Sequence, residues 1–209
     1  MKIGIFPGSF NPIHIGHLAV ANYVAEFTGL DEVWLLISPK NPLKTIPDLL
    51  DQELRLDLIE KAIGNYPKVK TCTVEWEMPQ PTYTINTLHK LRIMYPENIF
   101  YLVMGSDNWD TIHRWKDYQI ILNNFKILIY PRLGFGKSLF VHPNGKFIKG
   151  AQKIEISSSF IRKSMSEGKD VRLFMPNGVY ETLIEKNAFP LITKEEIIIP
   201  ETPDENIGE

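Results

Sequence analysis

Apolar residues fall into short unbroken runs separated by stretches of helical period. Residues 3–6, 32–38 (EVWLLIS), 99–104 (IFYLVM) and 125–130 (FKILIY) are apolar almost throughout. Such runs suit parallel strands covered on both faces, whereas a half-exposed strand alternates. Residues 68–76 do alternate and predict a further strand, and residues 153–157 predict the last strand of the sheet. Val20, Val24 and Phe27 recur at i, i+4 and i+7 in a predicted helix over 18–28, with Gly29 as its stop. Leu54, Leu58 and Ala62, with Ile59 and Ile63, give the apolar face of a helix over 51–65. Further helices are predicted over 84–94, 108–122, 158–165 and 176–186. Trp109, Ile112 and Trp115 make a core-like stripe in the second of these. Asn144-Gly145 between two apolar triplets predicts a hairpin over 138–149 with no assigned role, a contact between subunits of a homo-oligomer being one use it could have. Strands alternating with helices predict an α/β fold: an open, mainly parallel sheet of about five strands with helices on both faces.

Composition narrows the class. The 209 residues suit one domain over 1–190, followed by an acidic stretch over 191–209 that reads as a poorly ordered tail. A net charge of −2 lacks the basic face that bulk nucleic-acid binding requires, so no nucleic-acid partner is expected. Cys72 is the single cysteine, which excludes an intrachain disulfide and fits a reducing compartment. Only four apolar residues follow Met1-Lys2 before Pro7, and no run nears the ~18 residues of a membrane span. A cytoplasmic location and no membrane partner are expected.

Candidate chemistry gathers in two places. After the first strand come Pro7-Gly8-Ser9, then His14-Ile15-Gly16-His17 at the start of a helix. A strand, a glycine-containing turn and a helix N-terminus together offer backbone N–H groups and a positive dipole end to phosphate. Two imidazoles on one side of the first turn add donors for charge that develops on a transferring phosphoryl group. The plainer alternative is a strand-to-helix turn with two solvated histidines. A zinc site is the other, but the HExxH spacing and a cysteine cluster are both lacking. The second place is Ile156-Ser157-Ser158-Ser159-Phe160-Ile161-Arg162, where hydroxyls at a helix start and an arginine one turn in combine as a polyphosphate clamp. Lys40 and Lys44 sit in a Pro-rich loop after the second strand, and Arg55 reads as a surface cation destined for an ion pair.

These strings carry a family resemblance. His14-Ile15-Gly16-His17 resembles the HxGH signature of the nucleotidyltransferase superfamily, and residues 8–17 resemble the opening of bacterial nicotinate mononucleotide adenylyltransferases. Residues 156–162 resemble that family's Ile-Ser-Ser-Thr-x-Ile-Arg. Residues 82–88 (TYTINTL) resemble its Ser-Tyr-Thr-x-Asp-Thr-Leu, and Gly105-Ser106-Asp107 its Gly-Ala-Asp. The likeness spans about residues 1–190 and implies a Rossmann-like fold. It also implies adenylyl transfer from ATP, with Mg2+, to nicotinate mononucleotide, giving deamido-NAD and pyrophosphate. On this resemblance His14 and His17 hold the α- and β-phosphates, and Lys44 and Arg162 the outer ones. Gly8, Ser9 and Phe10 offer backbone to the nucleotide, and Gly105, Asp107, Ile156, Ser157 and Ser158 also contact ATP. Ser9, Lys44, Tyr83, Thr84 and Trp115 contact the acceptor, with Trp115 stacked on its ring and Tyr83-Thr84 backbone on its carboxylate. Two positions depart from the pattern: Leu43 stands where the family has a histidine, and Asn86 where it has an aspartate. An arginine is also found in the family at the place of Arg55.

Three rivals are distinguishable. Phosphopantetheine adenylyltransferases share the first motif but are shorter and lack the Tyr-Thr string. Class I aminoacyl-tRNA synthetases share HIGH but need a tRNA-binding body. A nucleotide-binding regulator without catalysis would have no reason to keep His14, His17 and Arg162 together.

Overall fold

The computed structural model describes residues 1–39, 49–134 and 140–191. Lys40, Leu43, Lys44 and residues 192–209, the body of the acidic stretch, lie outside the described residues.

Six strands, β1 (Lys2–Gly8), β2 (Glu32–Ile37), β3 (Val69–Cys72), β4 (Ile99–Gly105), β5 (Lys126–Tyr130) and β6 (Gly145–Phe147), form one parallel sheet in the order β3-β2-β1-β4-β5-β6. β1 is central, pairing Ile3 with Glu32 on one side and with Phe100 on the other. The chain winds outward from β1 in one direction through β2 and β3, then returns to its other edge with β4. Such a reversal opens a crevice beyond the C-terminal ends of the strands, and ligands bind there in open α/β sheets.

The apolar runs are explained by two cores. Phe6, Leu35, Val103 and Leu128 face a core completed by α1 (Ile15–Phe27), α2 (Gln52–Ile63), α6 (Ser158–Ser166) and α7 (Val179–Glu185). Ile3, Ile5, Leu36, Leu102 and Ile127 face the other, covered by α3 (Thr84–Met94), α4 (Ser106–Asp110) and α5 (Tyr118–Asn124). Every central strand is thus apolar on both faces.

Four expectations are corrected. Residues 153–157 form no strand; the sixth strand is Gly145–Phe147. No hairpin forms at Asn144-Gly145 either. Asn144 instead bonds the start of β5 and the end of α5, donating from Nδ2 to Leu122 O at 2.8 Å, while its carbonyl accepts from Ile127 N at 2.7 Å. Gly145 is needed for space, since a Cβ there would lie 2.4 Å from the Trp109 ring. The expected third strand stops at Cys72, and Val74–Glu77 turns into a single 3₁₀ turn that buries Glu75. The helix expected over 108–122 is three pieces: α4, a 3₁₀ turn Ile112–Arg114, and α5, which begins after Asp117 in the left-handed region at φ 52°. Trp109 and Ile112 stay in the core, as the stripe predicted, while Trp115, in extended conformation, packs half-buried at its margin.

Candidate active site

A cleft of about 980 Å³ opens at the C-terminal ends of β1 and β4. That suits a ligand of dinucleotide size. Except for Lys44, outside the described residues, and Phe10, every site residue expected from the sequence lines this one cleft.

The phosphate-type end is built by the first motif. His14 is the N-cap of α1, one residue before the helix, and its Nδ1 accepts from the His17 backbone N–H at 3.3 Å. The accepting Nδ1 carries no proton, so the neutral ring holds its proton on Nε2. His14 and His17 rings stack at 3.7 Å between centroids. Gly16 permits this, because a Cβ there would sit 3.0 Å from the His14 ring. Burial, with the Arg132 cation as a lesser cause, lowers the His14 pKa to about 4.

Phe10, expected to offer backbone to the nucleotide, is not among the residues that line the cleft. Its side chain is buried behind the turn, 1% exposed, and its ring meets His17 edge-on at 5.0 Å. It holds φ +45°, which costs a non-glycine residue about 1–2 kcal/mol. Its neighbours hold it there: Arg162 Nη1 donates to Asn11 O at 2.9 Å, Ser158 Oγ to Pro12 O at 2.9 Å, and Leu50 N to Asn11 Oδ1 at 3.0 Å. The second motif therefore docks directly on the first. Ser157 caps α6 by accepting from Phe160 N at 3.1 Å, and residues 156–159 and 162 face the cleft beside the histidines.

Gly105 is the N-cap of α4 and makes no side-chain bond; the Asp107 carboxylate meets Arg132 Nε at 3.4 Å. Tyr83 is the N-cap of α3. The Tyr83 carbonyl accepts from Asn86 N and Thr87 N, which leaves the amides of Thr84 and Ile85 outside the helical ladder. Lys116 Nζ lies 4.6 Å over the Tyr83 ring, and half-buried Trp115 lines the same cleft.

Three residues escaped the sequence reading. Arg132, in the loop just after β5, lines the cleft; a cation directly after a strand of a parallel sheet is the signal that marks it. Glu75, 3% exposed, also lines it and accepts from Thr87 Oγ1 at 2.7 Å and Thr82 Oγ1 at 3.2 Å, holding the start of α3. Nothing local in the sequence announces it. Among the described residues Arg55 forms no surface ion pair: it is 1% exposed and donates to backbone carbonyls. Only its coincidence with an arginine of the resembled family pointed to it.

Comparison with known proteins agrees with this geometry. Residues 5–164 match the cytidylyltransferase-like family model. A probable nicotinate-nucleotide adenylyltransferase of Azobacteroides pseudotrichonymphae is 56% identical over 184 residues, covering 88% of this chain and 97% of its own. One from Bacteroides fragilis is 48% identical over 185 residues, covering 88% and 92%. Among solved structures, the Plasmodium falciparum nicotinic acid mononucleotide adenylyltransferase complexed with NaAD superposes with a TM-score of 0.75 at 22% identity, over 90% of this chain and 97% of that one. The structural likeness carries the Rossmann-like α/β fold, and the sequence likeness carries the family: the chain belongs to the cytidylyltransferase-like nucleotidyltransferases, among the nicotinate-nucleotide adenylyltransferases.

Proposed function

We propose that the protein transfers the adenylyl group of ATP to nicotinate mononucleotide, yielding deamido-NAD (nicotinate adenine dinucleotide) and pyrophosphate, as a step of NAD biosynthesis in the cytoplasm. The observation that carries this reading is the docking of the second motif on the turn of the first, at a cleft that Tyr83, Thr84 and Trp115 also line. No helix among the described residues is long and apolar enough to cross a membrane.

An oxygen of the acceptor's 5′-phosphate attacks the α-phosphorus of ATP. The bond from that phosphorus to the bridging oxygen breaks, and pyrophosphate leaves with the electron pair. No covalent enzyme intermediate is required, so catalysis is positioning and charge stabilisation. His14 donates from Nε2–H as a neutral imidazole, and His17 donates beside it as charge moves onto the leaving group. Arg162 and the hydroxyls and amides at the start of α6 hold the outer phosphates, with Lys44 assigned to the same task by the family pattern. Gly8, Ser9, Gly105, Asp107, Ile156, Ser157 and Ser158 border the nucleotide. Trp115 stacks on the pyridine ring, and the start of α3 takes its carboxylate. ATP enters as its magnesium complex. Phosphate oxygens and water would supply most of the ion's ligands.

Pyrophosphate release with ATP and a panel of acceptors (nicotinate mononucleotide, nicotinamide mononucleotide, phosphopantetheine) tests the assignment. Release with nicotinate mononucleotide and formation of the dinucleotide are expected; turnover of phosphopantetheine alone would overturn it.

His14 supplies a pH prediction. Its folded pKa, about 4, lies below the ordinary 6.5. Between these values the unfolded chain takes up a proton that the folded chain refuses. Stability is therefore complete above about pH 6.5 and declines as pH falls toward 4, by up to about 3 kcal/mol. His14→Gln should flatten the melting temperature across pH 4–6.5; an unchanged slope would show that His14 is not the group responsible.

A further inference from the structure

Arg55 belongs to α2, on the far side of the turn from the cleft, and is absent from the cleft wall. Its guanidinium is nonetheless spent on three separate stretches of backbone. Nη1 donates to Ser9 O at 2.9 Å and to Ser38 O at 2.7 Å, Nη2 to Pro39 O at 3.3 Å, and Nε to Leu50 O at 3.1 Å. Ser9 and Ser38 both line the cleft. The fork of five N–H groups in one plane is the only side-chain geometry that reaches these carbonyls together; an ammonium is a point.

One of those carbonyls matters most. Ser9 immediately precedes Phe10, whose φ of +45° places the ring against His17. The carbonyl of the residue after Phe10, Asn11 O, is held by Arg162. The left-handed residue is thus flanked by two carbonyls, each gripped by an arginine from a different helix. A buried cation is costly unless its hydrogen bonds are satisfied. Among the described residues the bonding partners of Arg55 are backbone carbonyls and no carboxylate, so its position follows the turn it holds.

We propose that Arg55 is a positioning residue of the adenylyl-transfer site: by fixing the Ser9 and Ser38 carbonyls it locks the Phe10 turn and so aims the His17 imidazole into the cleft. It touches neither substrate. The inference rests on the adenylyl-transfer reading for its kinetic consequence, though not for its structural one.

The test uses the full chain with Arg55→Lys and Arg55→Met, and with Phe10→Gly, which tolerates the same φ but lacks the ring. Well below each variant's melting temperature, kcat should fall about tenfold or more in both Arg55 variants, while the KM for nicotinate mononucleotide stays within about twofold. A merely structural residue would lower the melting temperature and leave kcat of the folded fraction intact. In substrate-free protein, the His17 Cε1–H resonance in a ¹H–¹³C spectrum should move in all three variants as its contact with the Phe10 ring changes. Wild-type kcat in the folded Arg55 variants, or an unmoved His17 resonance, would overturn the proposal. If neither Arg55 variant folds, Phe10→Gly decides: wild-type kcat there would overturn it too. If the wild-type protein releases no pyrophosphate, the adenylyl-transfer reading fails separately, and the His17 resonance still reports on Arg55.

Discussion

His17→Ala is expected to lower kcat by roughly two to three orders of magnitude, the usual loss when one preorganised donor to a developing anion is removed. His17 lies in the first turn of α1, stacked on His14 and steadied by the edge of Phe10. A group so held costs no reorganisation when charge moves onto the leaving pyrophosphate. The interaction belongs to the transition state more than to the bound substrates. The KM values for ATP and nicotinate mononucleotide should therefore shift only a few-fold, while kcat and kcat/KM fall together. Steady-state pyrophosphate release measures both. A His17→Ala variant with turnover near that of wild type would remove His17 from the mechanism, whatever its position.

The second large effect concerns the acceptor. Nicotinate and nicotinamide mononucleotides differ only in a carboxylate against an amide. The start of α3 presents the Thr84 and Ile85 amides outside the helical ladder, together with the positive end of the helix dipole, and Lys116 stands over Tyr83. A carboxylate accepts from such donors, and its bonds are charge-assisted; an amide brings an NH₂ group that needs an acceptor of its own. A preference of roughly a hundredfold or more in kcat/KM for the acid follows from a few kcal/mol. Thr84→Pro removes one of those amides and should erode the preference. Trp115→Ala should weaken both acceptors in parallel, because a stacked ring does not read the substituent. Equal specificity constants in the wild-type protein would contradict the role given to the start of α3, even with adenylyl transfer established.

The parts of the fold that could be read in advance are those dictated by short-range pattern. β1, β2, β4 and β5 are buried on both faces, so their apolar runs stand out, and Asp51 or Ser157 announce a helix because a cap acts within three residues. The errors share a physical origin in distant partners. Asn144-Gly145 has the chemistry of a turn, yet Leu122 and Trp109 claim it for a strand edge. Residues 108–122 have helical composition but break at Asp117, whose left-handed backbone no local pattern foretold. The expected lining residues were legible through the family resemblance, whereas Arg55 was read as a surface cation and Glu75 was given no role. A buried charge is placed by the carbonyls and hydroxyls that other segments bring to it, and those segments lie up to 46 residues away in the case of Arg55.

The contacts between the two motifs also govern when the enzyme comes into being. Ser158 reaches Pro12 across 146 residues, and Arg162 reaches Asn11 across 151. At ribosomal speeds of about 5–20 residues per second, the histidines of α1 leave the synthesis machinery on the order of ten seconds before the helix that completes their pocket. During that interval the nascent chain holds half of a phosphate cradle and no means to use it. A product truncated ahead of α6 should consequently be silent in catalysis, and recovery of turnover after denaturation should report the closing of this 151-residue span and not the formation of the helices.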